Sequence, residues 1–176
     1  TVSNLATSGR VTIKANWKAN TYTIALALGG DGTISNLTLN SGLTLKTTNK
    51  EMTATYGQTG SFTATVTMLG YTFNGWIYKG STGELKNDTG LPKSTATTSV
   101  LNLSQENGST VTLEADFVAN TYIVVLDAGT DGTISNLTLD SNLTLKTTNK
   151  EFIATYGQIG SFTATVTMLG YTFNGW

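Results

Sequence analysis

Neither cysteine nor histidine occurs in this chain. Their absence excludes a disulfide framework, a thiolate or imidazole metal site, a catalytic thiol and an imidazole base. It suits long bacterial or archaeal surface proteins better than small disulfide-stapled secreted domains. Charge is scarce as well, with 12% charged residues and a formal net charge of −1. No basic face is available to neutralise phosphates, so nucleic acid is not an expected partner. No apolar run approaches the ~20 residues that cross a bilayer as a helix, and membrane insertion is not expected. Proline occurs once, at Pro92.

Threonine makes up about a fifth of the residues, alongside abundant Gly and Asn. β-Branched residues favour strands, and Gly and Asn mark turns, so a mainly β fold with little helix is expected. The chain also repeats itself at an offset of 100 residues. Asn20–Trp76 and Asn120–Trp176 are identical at about four positions in five, and 11–17 (VTIKANW) corresponds to 111–117 (VTLEADF). A block of ~100 residues can bury a core of its own, and such repeats are usually whole domains in series. The expected organisation is 1–19 as the C-terminal strand of a preceding repeat, 20–119 as a complete repeat and 120–176 as a partial next one. With no initiator Met and no signal peptide at Thr1, the chain reads as a section of a longer protein.

Period-two alternation places the strands. Val11, Ile13, Ala15 and Trp17 share one face of a stretch whose other face is Thr12, Lys14 and Asn16. Tyr22, Ile24, Leu26 and Leu28 form a second stripe. Phe62, Ala64, Val66 and Met68 form a third, backed by Thr63, Thr65 and Thr67. Such ribbons are half-buried strands of antiparallel type. Breaks are expected at Gly29–Gly32, Thr47–Lys50, Tyr56–Gln58 and Leu69-Gly70. Asn40-Ser41-Gly42 suggests a small hairpin between Leu37/Leu39 and Leu43/Leu45. The least regular stretch is 79–98, and a short helix is one reading of Ser94–Gln105. The inter-repeat link, Phe117–Tyr122, has no Gly or Pro hinge, so the array is expected to be stiff.

Three phrases carry a resemblance: Ala54-Thr55-Tyr56-Gly57-Gln58, Gly70-Tyr71-Thr72-Phe73-Asn74-Gly75-Trp76 and the closing Val111–Phe117. In that order the chain resembles Listeria–Bacteroides repeats, the B-repeats of internalin-like cell-surface proteins. The resemblance spans the whole chain and implies β-grasp-like modules in tandem, usually set between a recognition region and a wall anchor. Trp17 stands where that family usually places its final aromatic, and Phe117 substitutes for it. The units here are longer than is usual for the family, with the excess at 31–50 and 79–98.

Little in the sequence supports chemistry. Asp88, Glu84, Glu106, Glu51 and Glu114 offer no pair recurring in both copies at a spacing suited to acid–base work. Asp31, Asp127 and Asp131 suggest a calcium loop, but Ala27 stands where the second copy has Asp127, which favours turn-forming side chains over a metal site. The rings of Trp17, Tyr22, Tyr71, Phe73, Trp76, Phe117, Tyr122, Tyr171, Phe173 and Trp176 are expected as core rather than as a sugar-stacking platform, since burying one stabilises by roughly 2–3 kcal/mol. The Thr63, Thr65, Thr67 row is expected to be a solvated strand face, not an ice-binding array. Sequons beginning at Asn36, Asn87, Asn102, Asn107, Asn136 and Asn142 are candidate glycosylation positions if the source modifies extracellular asparagines.

The expected function is a non-enzymatic module of an extracellular stalk or filament at the cell surface, with no catalytic residue, metal or cofactor. Its expected partners are adjacent repeats or other copies of itself; the ends are read first as marking where a longer polypeptide was divided, and second as a device for head-to-tail strand complementation through Arg10–Trp17. The alternative is an adhesin module that recognises a glycan or a host or neighbour protein through loop 79–98 or hairpin 31–50.

Overall fold

The structure is a computed structural model and describes residues 3, 6–46, 50–88, 95–146 and 150–176. The fold is mainly β, with no helix among the described residues. The complete unit contains β1 (Thr21–Ala27), β2 (Thr33–Ser41), β3 (Leu43–Leu45), β4 (Glu51–Thr55), β5 (Gly60–Thr67), β6 (Tyr71–Tyr78), β7 (Glu84–Asp88), β8 (Thr95–Leu101) and β9 (Thr110–Ala119). One sheet runs β3-β4-β1-β9-β6 and the other β2-β5-β8-β7. All neighbours are antiparallel except the central β1/β9 pair, which is parallel.

The two sheets share one core. Tyr22, Ile24 and Leu26 of β1, Met52 and Ala54 of β4, Phe73 and Trp76 of β6, and Val111 and Leu113 of β9 come from the first sheet. Phe62, Ala64 and Val66 of β5 and Ala96 and Val100 of β8 come from the second. The alternation read from the sequence therefore sorts inside from outside on β1 and β5, and β4 shows the same pattern. Phe62 and Trp76 join the layers with ring centroids 6.2 Å apart, and Phe73 meets Trp76 edge-on at 5.4 Å.

Segments 31–50 and 79–98 build much of the second sheet. Residues 31–50 supply β2, and 79–98 supply β7 and the start of β8. Two local expectations change as a result. Asn40-Ser41-Gly42 is a corner and not a hairpin, because β2 pairs with β5 while β3 pairs with β4 in the other sheet. Gly42, at φ 64°, lies so close to Thr59 that a Cβ would meet its carbonyl oxygen at 2.3 Å. Residues 95–101 form β8 in place of a helix, since Ala96, Thr98 and Val100 share a buried face at period two. The expected break at 47–49 lies outside the described residues.

The Thr row of β5 does face outward, but it is bonded across strands. Thr63 Oγ1 lies 3.0 Å from Thr97 Oγ1 and accepts from Asn40 Nδ2, while Thr33 and Thr67 hydroxyls meet at 2.9 Å. Such same-face pairs add a few tenths of a kcal/mol each, up to about 1 kcal/mol.

The second copy forms β10 (Thr121–Val125), β11 (Thr133–Leu139), β12 (Thr144–Leu145), β13 (Glu151–Thr155) and β14 (Phe162–Thr167), paired as β10-β13-β12 and β11-β14. Its rings keep the first copy's arrangement: Phe162–Trp176 at 6.0 Å and Phe173–Trp176 at 5.3 Å. What differs is cover. Tyr22 is 1% exposed and Tyr122 52%; Trp76 is 2% exposed and Trp176 56%. Tyr171 and Phe173 are exposed too, so these four second-copy rings do not form a closed core. The physical reason is that β10 has no counterpart of β9 beside it, and β14 none of β8.

Trp17 is likewise corrected, at 88% exposed, and residues 10–20 form no strand despite their alternation. A strand exists through its ladder partners, and this stretch has none here, whereas its counterpart β9 lies between β1 and β6.

Candidate functional site at the repeat joint

The two copies are separated by one residue. β9 runs to Ala119, β10 begins at Thr121, and Asn120 stands between them. Asn120 donates its backbone N–H to the Gly70 carbonyl (2.9 Å) and accepts from Thr72 Oγ1 on its side-chain oxygen (2.6 Å). Its own carbonyl accepts from the Tyr156 N–H at 2.9 Å. Two bonds thus tie Asn120 back to the complete unit and one ties it forward to the next. Each such bond contributes about 1 kcal/mol net, and together they fix the direction in which the second copy leaves.

Apolar contact reinforces this hub. Gly70 closes the turn before β6, with the Tyr71 N–H bonded to the Met68 carbonyl. At φ 78° the turn favours glycine, and a Cβ there would fall 2.2 Å from a Tyr156 ring carbon. Tyr156 therefore lies directly on bare backbone. Its ring meets Tyr71 edge to face, centroids 5.5 Å apart, and the Tyr71 hydroxyl approaches Gly157 from the other side. An open groove beside the joint is lined by Thr72, Asn74, Val118, Asn120 and Thr121.

At its other end the complete unit is closed by the loop between β8 and β9. Asn102, at φ 55°, accepts from the Gly57 N–H on its side-chain oxygen (2.6 Å), and Asn20 Nδ2 donates to the Gln105 carbonyl (2.9 Å). Leu103 is buried; its N–H donates to the Tyr22 hydroxyl at 3.2 Å and its carbonyl accepts from the Tyr78 hydroxyl at 2.6 Å. Burial pushes the Tyr22 phenol above its ordinary value; the Leu103 N–H opposes this shift and Tyr78 adds to it.

The remaining candidates are dispersed. Glu114 pairs with Lys79 at 2.5 Å, Glu84 with Lys86 at 3.4 Å, and Glu51 with Lys46 at 3.9 Å, all partly exposed. Glu106 lies in the β8–β9 loop, its carbonyl accepting from Ser109. Asp127 accepts from the Gly129 N–H, the turn chemistry expected for it, while Asp31 and Asp131 sit in exposed turns. Among the described residues no three acidic, Cys or His side chains group as metal ligands. Asp88 and Asn87 belong to β7, and their side chains lie outside the described set.

Of the other sequons, Asn36 is exposed on β2 and Asn107 is exposed but accepts from the Thr21 N–H. Asn102 bonds Gly57, Asn142 Nδ2 donates to the Ile159 carbonyl, and Asn136, at φ 52°, is directed toward Thr165. Of the rings expected in the core, Tyr22, Phe73 and Trp76 are buried, while Tyr71 and Phe117 are half-buried.

Asn120 lies within the inter-repeat link expected at Phe117–Tyr122, but Gly70 and Tyr156 were not singled out in the sequence as joint residues. The signal available for them was identity between the copies, at Asn20/Asn120, Tyr56/Tyr156 and Gly70/Gly170, which their neighbours share.

No protein family, curated protein or solved structure matches the chain.

Proposed function

We infer that the chain is a non-enzymatic structural module of an extracellular stalk or filament, with its copies serving as stiff, oriented spacers. The observation that carries this reading is the one-residue joint, in which Asn120 bonds both units and Tyr156 lies against Gly70. A tether meant for free motion would have a polar, Gly- or Pro-punctuated linker. Each ~100-residue unit would add about 30–40 Å of reach by compact-domain scaling. Placement at a cell surface, and kinship with Listeria–Bacteroides repeats, rest on the quoted sequence phrases. The order β4-β1-β9-β6, a parallel central pair flanked by antiparallel strands, supports the β-grasp-like part of that kinship.

The deciding experiment is small-angle scattering of the intact chain, paired with spin-label distances between Thr44 and Ile159. A narrow distance distribution supports the spacer reading, and a broad one, typical of freely jointed units, refutes it. The adhesin alternative has weaker support: β7 is an edge strand whose Lys86 and Glu84 neutralise each other, and the expected 31–50 hairpin is divided between sheets. Retention of the chain on a glycan array would revive it.

A further inference from the structure

We propose that the unit bears load: tension along the array passes into β1 and out through β9, and the ladder between these two strands resists it. This deepens the spacer reading, resting on it for the joint as the point where one unit pulls on the next. What carries the inference is where load enters and leaves. β1 and β9 are the first and last strands of the unit, lie side by side, and run parallel. Asn20 precedes β1 and Asn120 follows β9.

The entry point sits beside the start of β9. Asn20 Nδ2 donates to the Gln105 carbonyl at 2.9 Å, and the Thr21 carbonyl accepts from the Gly108 N–H at 2.7 Å. The exit point is the far end of that strand. The line from Asn20 to Asn120 therefore follows the ten residues of β9, about 33 Å at ordinary strand rise.

A pull along this line draws β1 toward its N-terminus and β9 toward its C-terminus. Because the strands are parallel, the two pulls oppose each other along one axis. The ladder from Thr23 with Thr110 to Ala27 with Glu114 is then strained in shear, all rungs together. A pull across the same strands would break the rungs one after another.

Several features keep the load on that ladder. Both strands are central in β3-β4-β1-β9-β6, so neither can peel from an edge. β4 holds β1 from Thr21 to Ala25, and β6 holds β9 from Leu113 to Ala119. Ile24, Leu26, Val111 and Leu113 are buried in the core shared with the second sheet, which keeps water from the strained bonds on that face. Entry and exit are pinned as well: the Asn20 carbonyl accepts from the Tyr56 N–H at 2.8 Å, and Asn120 is held by Gly70 and Thr72. The joint adds no slack, since one residue separates β9 from β10. A spacer that only sets distance could hang from any two strands. This one hangs from the parallel central pair.

The test is forced unfolding of the full chain between cysteine handles, which are unambiguous because the chain has no cysteine. Lys18→Cys with Val118→Cys pulls along the ladder. Lys18→Cys with Glu106→Cys pulls across it, since Glu106 lies in the loop before β9. All three positions are exposed. At equal loading rate the first pair should unfold in one event at about two- to threefold higher force than the second, because forced unfolding reads the barrier that the load opposes. Val111→Ala should lower the along-ladder force. Val100→Ala, at a buried valine of β8 in the other sheet, should lower the thermal midpoint comparably and leave that force unchanged. Equal forces in the two directions, or an equal loss of force in the two valine variants, overturn the proposal. The spacer reading fails on a different result, broad Thr44–Ile159 distances, and that measurement applies no load.

Discussion

Tyr71 and Tyr156 meet edge to face across the boundary between two units, ring centroids 5.5 Å apart and planes at 78°. Neither ring belongs to a closed core: Tyr71 is half-buried and Tyr156 is 38% exposed. The pair therefore contributes to orientation more than to folding. Aromatic pairs of this kind contribute about 0.5–1.5 kcal/mol beyond their buried area. Tyr156→Ala should broaden the distance distribution between spin labels at Thr44 and Ile159 while leaving the thermal midpoint of the complete unit within about 2 °C. A narrow, unchanged distribution would assign the orientation to Asn120 alone.

The repeat provides its own control for the backbone side of the joint. Gly70 and Gly170 have nearly the same φ, 78° and 81°, but only Gly70 has a ring against it. An alanine at either site incurs the left-handed backbone strain of about 1–2 kcal/mol. Gly70→Ala must in addition displace Tyr156. Gly70→Ala should thus loosen the joint as Tyr156→Ala does, and Gly170→Ala should not, at comparable local destabilisation by hydrogen exchange. Equal behaviour of the two variants in the distance measurement would show that the Gly70–Tyr156 contact does not orient the units.

Particular residues show what the sequence could convey. Tyr22, Ile24, Leu26, Phe62 and Val66 were legible as core because period two on a sheet is a local property. Val11, Ile13 and Trp17 have the same pattern and are exposed, because burial needs a neighbouring strand that periodicity does not supply. The Asn40–Gly42 corner resembles a hairpin locally; which sheet each arm joins depends on β4 and β5, far along the chain. The link Phe117–Tyr122 was legible, but the contact that braces it was hidden for a related reason: Gly70 and Tyr156 are 86 residues apart, and only the fold brings the ring onto the glycine.

At one position where the copies differ in sequence, they should differ in acid sensitivity. Asp140 replaces Asn40, and its carboxylate accepts from the Ser161 N–H at 2.6 Å and the Asn142 N–H at 2.9 Å. These bonds, the one from Ser161 first, hold its carboxyl below the ordinary value. A depressed folded value means the contribution is complete above the unfolded value of about 4 and is lost as pH falls through the folded one. Amide exchange at Ser161 should accelerate over that interval relative to Ser61, whose hydroxyl meets that of Ser41 while the neutral Asn40 donates to Thr63 instead. Asp140→Asn should abolish the difference, and identical pH profiles for Ser61 and Ser161 in the unsubstituted chain would exclude the carboxylate as its cause.

Equivalent tryptophans supply the sharpest comparison, because chemistry and sequence context are held constant while cover changes. Trp76 is 2% exposed among Phe62 and Phe73; Trp176 touches Phe162 and Phe173 with the same geometry and is 56% exposed. Truncating a buried tryptophan removes its transfer free energy and leaves a cavity, so Trp76→Ala should cost about 3–5 kcal/mol in denaturant unfolding. Trp176→Ala leaves no closed cavity and should stay within about 0.5 kcal/mol at concentrations where the chain is monomeric. Equal costs for Trp76→Ala and Trp176→Ala would show that cover does not set the difference between the two indoles.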